Sequence, residues 1–443
     1  MKKKVKSKTG KNVKGRRVGF WGFSFFAMFQ VFALVLFSAA THGAVRTFTV
    51  NSFLDETDTA PGDAVCVSAS GYCTLRAAIQ EANALPGPDV IKLNRDLYML
   101  TIGGISENNC ATGDLDITDD LTIIGKGAKS TFINAGNLDR VFHIIGPISV
   151  TIMNVTIQNG FATDDGYGNL SNVKGGAILN ESDSLLTLKG VTISNNTAAG
   201  GTNGSGGGIY NLGALEITKS NLFNNAASGA SNSNVGGAID NYGTLSIKGS
   251  IISNNIVSWT PTGLGGAIYN HTGILEIDLS TISNNIISAE GPYSQGAAIA
   301  NNGTLTITGC TISNNTATGS GEGDGGGILS ATFHGEKVTI IRSKIFNNVA
   351  RGNLALGGGI CSFNGDVILT GATLSSNAAS GVSEGRGGGI YLKSGTLTLQ
   401  TASKIVQNFS SDLGGGIFFG VAGTGSISPD SKVDDNIPDD IYP

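Results

Sequence analysis

The feature that most constrains this chain is a repeat of about 30 residues running through its C-terminal two-thirds. Two short signals alternate from 175 to 436. The first is Gly-Gly/Ala-(Gly/Ala)-Ile, as in GGGIYN and GGAIDN, with isoleucines at Ile178, Ile209, Ile239, Ile268, Ile299, Ile328, Ile360, Ile390 and Ile417, spaced 27 to 32 residues apart. The second is an aliphatic residue before an Asn-rich turn, as in ISNN and IFNN, ending at Asn196, Asn225, Asn255, Asn285, Asn315, Asn348, Asn377, Asn408 and Asn436. A fixed period of this length demands a solenoid, propeller or array, in which each unit buries its apolar face only against its neighbours. The content of one unit decides among these. Strands such as GTLSI at 243–247 alternate so that Leu245 and Ile247 turn inward while Thr and Ser turn outward. No helical period occurs, which excludes the helix-based repeats, and a propeller blade needs roughly 40–45 residues. Three short strands in each unit fit one coil of a parallel β-helix, with coils roughly 4.8 Å apart.

Stacking explains the residue choices. Equivalent isoleucines superpose as an apolar ladder, and equivalent asparagines superpose at a corner, where each side chain can hydrogen-bond the coils above and below. The Gly-Gly pairs permit a sharp turn and close approach of the next coil. The segment between NN and GG varies most, from Thr197–Gly206 to the shorter Phe409–Leu413, and is expected to project as loops along one side. Residues 121–160 (LTIIG, VFHII, VTIMN) read as earlier, less regular coils. The β-helix is therefore expected over 121–436, with about 11 to 12 coils and a length of roughly 55 Å. An open stack needs end covers. Leu75, Ala78, Ile79, Ala82 and Leu85 share one face of a short helix expected over 75–85, inside a cap region spanning 45–120; residues 437–443 form an acidic tail.

Composition agrees. Gly is 66 of 443 residues and charged residues are only 14%, against roughly 25% in average domains. Residues 1–17 carry nine Lys or Arg and no acid. The remainder carries 19 basic and 33 acidic residues, a net charge of −14 that disfavours nucleic acid. The basic start is followed by an uncharged apolar run at 18–40 and small residues up to Ala44, the pattern of a signal peptide or retained membrane anchor over 1–44. Either places the rest outside the cytoplasm, secreted or on the cell surface, with the membrane touched only through the N-terminal segment. Disulfides are then permitted, and Cys66 with Cys73, seven apart before the expected helix, make the best pair. Cys310 and Cys361 read as small buried apolar residues.

CTLRAAIQEANAL at 73–85, TGDLDITDDLTIIGKGA at 112–128 and LDRVF at 138–142 resemble the CSLREA-type N-terminal segment of exported bacterial β-helix proteins, with Ala77 where that motif has Glu. The GGxI units, with FNN at Phe223 and Phe346, resemble the repeats of chlamydial polymorphic outer-membrane proteins. The resemblance implies an all-β, right-handed, pectin-lyase-like parallel β-helix, the hand that parallel crossovers favour. It also implies export. The chlamydial proteins are adhesins carrying a C-terminal barrel, a feature not read in this sequence.

Candidate chemistry is sparse. Asp114, Asp116, Asp119 and Asp120 form the densest acidic cluster, near Lys126, Lys129 and Arg140, and Ca²⁺ is the one metal their hard oxygens suggest. No other cofactor is read. His271 and His334 read as solvated turn or loop residues, and His143 as an outward strand residue or a satisfied core group. Tyr210, Tyr269 and Tyr391 each follow a repeat Ile, giving a partial outward stripe able to bind sugar or protein. The expected function is a non-enzymatic, adhesin-like or structural rod that binds glycan, protein or its own kind along its side. The alternative is a polysaccharide lyase or hydrolase using acids of the early coils.

Overall fold

The computed structural model describes residues 43–258, 261–288, 291–331 and 337–443. The leader expected over 1–44 falls almost entirely outside them, as does His334. Among the described residues no helix is long and apolar enough to cross a membrane.

Each coil supplies strands to three parallel sheets of 23, 12 and 15 strands. The first sheet takes two strands per coil: the one after the glycines, such as Ile239–Asn241, and the alternating one, such as Thr244–Lys248. The second takes the strand before the Asn turn, such as Ile251–Ser253. The third takes the variable segment, in strands such as Ile256–Ser258 and Thr262–Leu264. Twelve strands stack without a break from Leu115–Ile117 to Ile441–Tyr442, making an all-parallel β-solenoid of about eleven turns. The expected loops are thus largely strands of a third sheet, because the short polar segments pair in register between coils.

Repeat isoleucines sit directly above one another, Ile209 on Ile239 on Ile268, and all nine are fully buried. At the corner, Asn196 Nδ2 donates to Asn225 Oδ1, and this pattern continues through Asn255, Asn285, Asn315, Asn348, Asn377, Asn408 and Asn436 at 2.9–3.0 Å. Their side chains also bond backbone groups, so each buried amide is satisfied. A second ladder joins Asn180, Asn211, Asn241, Asn270 and Asn301 at 2.7–2.8 Å. A serine column runs through Ser220, Ser250 and Ser280, and buried Cys310 takes the next place, accepting from the Ser280 N–H. Gly236 shows why glycine opens each unit. Its φ is +61°, and a Cβ there would collide with the Ile239 carbonyl.

The N-terminal helix spans Leu75–Ala84, one residue shorter than the spacing suggests. Thr74 caps it by accepting from the Ala77 N–H. Leu75, Ala78, Ile79 and Ala82 join the solenoid core. Arg76 is buried beside them, its Nε 2.6 Å from Asp55 and its other donors on the carbonyls of Cys110, Gly113 and Asp114. Cys66 and Cys73 form the expected disulfide; Cys110, Cys310 and Cys361 are free and buried.

Candidate functional site

The residue after each repeat Ile points away from the core yet is buried at every coil from Leu179 to Phe418; the column ends at Tyr442, which is exposed. This outward column reads Asp116, His143, Leu179, Tyr210, Asp240, Tyr269, Ala300, Leu329, Cys361, Tyr391, Phe418 and Tyr442 in unbroken register. Five residues earlier in each repeat coil stands a second column from the third sheet: Lys174, Ser205, Val235, Leu264, Gln295, Asp324, Leu356 and Arg386. The Gly-Gly turn joins the two strands, so the columns face each other across a groove parallel to the rod axis. Val235, Leu264 and Leu356 pack with Tyr269, Leu329, Cys361 and Tyr391 along its floor.

Two openings lie along the groove among the described residues. One opening, of about 390 Å³, is lined by Asn172, Lys174, Asn203, Ser205, Tyr210, Asn232, Ser233, Val235, Tyr242 and His271. The His271 ring stacks on Tyr242 with centroids 3.6 Å apart and lies 3.9 Å from the Tyr269 ring. Its Nε2 is 2.9 Å from Oδ1 of Asp240, which is fully buried. Burial pushes the Asp240 carboxyl above its ordinary pKa, opposed by His271. Burial also pushes the Tyr242 phenol up to about 12 and raises those of Tyr210 and Tyr269, so all three remain hydrogen-bond donors at neutral pH. Lys174 Nζ sits 5.2 Å above the Tyr210 ring.

The other opening, of about 510 Å³, is lined by Arg386, Tyr391, Lys393, Phe418, Phe419, Gly420, Val421, Gly423 and Pro443. Tyr391 stacks on Phe418 at 5.4 Å, and Phe418 on Tyr442 at 5.2 Å. Arg386 lies 4.9 Å over Phe418 and pairs with Glu384.

The early coils carry a closed polar network. Arg140 is buried, with Nη1 3.0 Å from Asp114 and Nη2 2.6 Å from Asp164; Asp139 lies 3.9 Å away. His143 bridges Asp116 and Glu181, with 3.4 Å to each. Burial pushes Asp116 up to about 6 and Asp139 up to about 7, whereas Arg140 and two backbone N–H groups outweigh burial at Asp164 and lower it. His143 is raised, because its two carboxylate partners outweigh its burial. A raised folded-state pKa on Asp116 and Asp139 means that the folded state binds protons which the unfolded state has lost. Stability therefore falls as pH rises between about 4 and 7. Raised His143 acts in the same direction, its contribution being lost as pH rises through its folded pKa. Denaturant midpoints are expected to be lower at pH 8 than at pH 5.5; equal midpoints, or a higher one at pH 8, would refute this account of the network.

Tyr210 lines one opening, Tyr269 lies two coils on with its ring against His271, the two flanking Asp240 in register, and Tyr391 lies six coils from Tyr210 at the other opening. They are not an exposed stripe, because groove packing covers each of them to within 8% exposure. The four aspartates do not converge. Asp119 accepts from the Gly87 and Asp120 N–H groups and Asp120 from that of Ser149, while Asp114 and Asp116 instead join His143 in a buried cluster. His271 is not a solvated turn residue but is packed between aromatic rings against a carboxylate. Sequence reasoning passed over Lys174 and Asp240 and read His271 as a solvated turn residue. The signal lay in the repeats themselves: the position after the repeat Ile is apolar or Tyr in the other coils from Ile178 onward and acidic only at Asp240.

No protein-family model matches the chain, and no curated protein does. Among solved structures, the A-module of the mannuronan C-5 epimerase AlgE6 of Azotobacter vinelandii is similar over 80% of this chain and 94% of that one, at 12% identity and a TM-score of 0.37. A likeness at that level carries no argument about chemistry.

Proposed function

We propose that this chain is an exported β-solenoid that holds a sugar polymer lengthwise in its side groove. The observation that carries this reading is the opening at Tyr210, Tyr242 and His271. There, aromatic faces and a set of amide and hydroxyl groups line a cleft parallel to a regular axial repeat. Aromatic rings offer flat apolar area to sugar C–H faces, while Asn172, Asn203, Asn232 and Ser233 offer donors and acceptors to hydroxyls. The second opening on the same groove allows a long chain to engage twice, which strengthens binding without new kinds of contact. The early-coil acids suit an active site poorly, because Asp114, Asp116 and Arg140 are buried and Asp114 is already paired with Arg140.

Affinity electrophoresis of the full chain in gels containing neutral or acidic polysaccharides tests the proposal. At least one polymer retards the protein, and Tyr242→Ala, which removes a half-exposed ring at the rim, weakens that retardation about fivefold to tenfold. Unretarded migration with every polymer, or unchanged retardation of the variant, would overturn it.

A further inference from the structure

We infer that Asp114, Asp116 and His143 hold one divalent transition-metal ion of the zinc class, which ties together the first coils of the solenoid. One oxygen of each carboxylate and a ring nitrogen of His143 lie within 4.8 Å of one another, and all three residues are buried. Register sets this up. Asp116 and His143 are consecutive members of the outward column, on the paired strands Leu115–Ile117 and Phe142–Ile144. Asp114 stands just before the first of those strands. The donors thus come from two neighbouring coils, and an ion between them staples one coil to the next.

The observation that points to an ion is Oδ1 of Asp116. Oδ2 of that residue accepts from the Cys110 N–H at 2.8 Å, but Oδ1 is buried without a hydrogen-bond partner and faces His143 Nδ1, 3.4 Å away. On the far side of the ring, Nε2 lies 3.4 Å from Glu181 Oε1. With the ring proton on Nε2, toward Glu181, the Nδ1 lone pair opposes a carboxylate lone pair across a gap that no hydrogen bond closes. A cation between them resolves that opposition. A tetrahedral ion with donors about 2.0–2.1 Å away sets those donors about 3.3–3.4 Å apart, the spacing found here. A carboxylate on the other nitrogen is the usual support of a metal-bound histidine, because it fixes the tautomer and raises the basicity of the ring. Asp114 pairs with Arg140 through Oδ2, and among the described residues no hydrogen bond reaches its Oδ1.

Charge balance points the same way. Asp114, Asp116, Asp139 and Asp164 are all buried, and one guanidinium, that of Arg140, serves three of them. Arg76, the other buried arginine among the described residues, pairs with Asp55 and reaches Asp114 only through its backbone carbonyl. Burial raises Asp116 and Asp139, and the Asp114 charge adds to the rise at both, the mark of negative charge in excess of its partners. A divalent ion removes that excess. The donor set selects its class. Calcium takes roughly six to eight oxygens, whereas an imidazole with two carboxylates suits zinc and its neighbours.

The site lies where the solenoid lacks one of its cross-coil ties. The second asparagine ladder begins at Asn180, and the equivalent places one and two coils earlier are Ile144 and Ile117. In these coils the ion does the joining that stacked amides do above. None of the three donors lines either groove opening, so the ion acts on the stability of the coils rather than on a groove ligand. The pH dependence expected above for this network is that of the metal-free chain.

The test is metal binding by the full chain. The protein is dialysed against a chelator and then given zinc, cobalt or calcium, both when folded and during refolding from urea, and the metal retained after gel filtration is counted. One zinc per chain is retained, zinc raises the thermal midpoint by several degrees, and cobalt gives the intense visible bands of a tetrahedral site. Calcium is not retained. His143→Gln loses the retained zinc and the rise in midpoint. Glu181→Gln leaves all three donors in place and weakens zinc about 10- to 100-fold. Should His143→Gln fail to fold, Glu181→Gln and the cobalt spectrum of the unaltered chain still decide the matter. No retained zinc in either preparation, a midpoint that zinc leaves unmoved, or equal retention by folded His143→Gln would overturn the inference. Calcium retained in place of zinc would overturn the class of ion, and unchanged affinity in Glu181→Gln would overturn the role given to His143.

Discussion

Asn285→Leu is expected to destabilise the rod by about 3 kcal/mol, more than a substitution at any exposed strand position. The Asn285 side chain accepts from the Asn255 amide and backbone and donates to Asn315 Oδ1 and to the carbonyls of Ile252 and Ser283. Leucine has a similar volume but none of these groups, so the Asn255 donors and the Asn315 acceptor are stranded in the interior. Each buried group left unpaired costs roughly 1–3 kcal/mol, and the ladder offers no other partner at that height. Because each coil touches only its neighbours, the loss acts first on the coils around 255–315. Hydrogen exchange under mild denaturant should show those strands opening earlier, with the N-terminal coils still protected. A denaturant midpoint unchanged from wild type would show that the ladder contributes nothing to stability.

Arg140→Met is the second large effect, expected at about 3–5 kcal/mol. The methionine keeps the volume of the aliphatic stem but removes the guanidinium that pairs with Asp114 and Asp164 and lies beside Asp139, leaving three neighbouring buried acids. Mutual repulsion and desolvation then favour their protonated forms. The variant should therefore recover part of its stability on acidification, more steeply than wild type over the same range. Urea denaturation of both proteins at pH 5 and pH 8 measures this. A variant with wild-type stability at pH 8 would show that the cluster is neutral without its arginine.

What the sequence disclosed and what it hid have a common physical cause. The isoleucine and asparagine ladders are made by one residue type repeating at one period, so the fold is legible wherever stacking selects like upon like. The helix at Leu75–Ala84 is legible for the same reason, as an apolar face with one period. The groove site breaks the rule, since it depends on residues that differ between coils: Lys174, Asp240 and His271 come from three coils, and His271 stands outside both columns. Only their register, in which Tyr210 lies under Asp240 and Asp240 under Tyr269, brings Lys174 and His271 to one opening with Asp240 buried against His271. Aspartates 114, 116, 119 and 120 mislead for the converse reason. Closeness in sequence suggests one site, but strand alternation and the following turn send their carboxylates to different partners.

Hydrogen–deuterium exchange of the full chain, with and without a polysaccharide that retards it, tests the groove most directly. Slowed exchange is expected at Asn172–Lys174, Asn203–Asn211 and Ser233–Tyr242, which wall the opening, and unchanged exchange at Asn221–Phe223 and Ile251–Ser253 in the second sheet. Protection centred on those second-sheet strands, with the groove segments unaffected, would contradict the account.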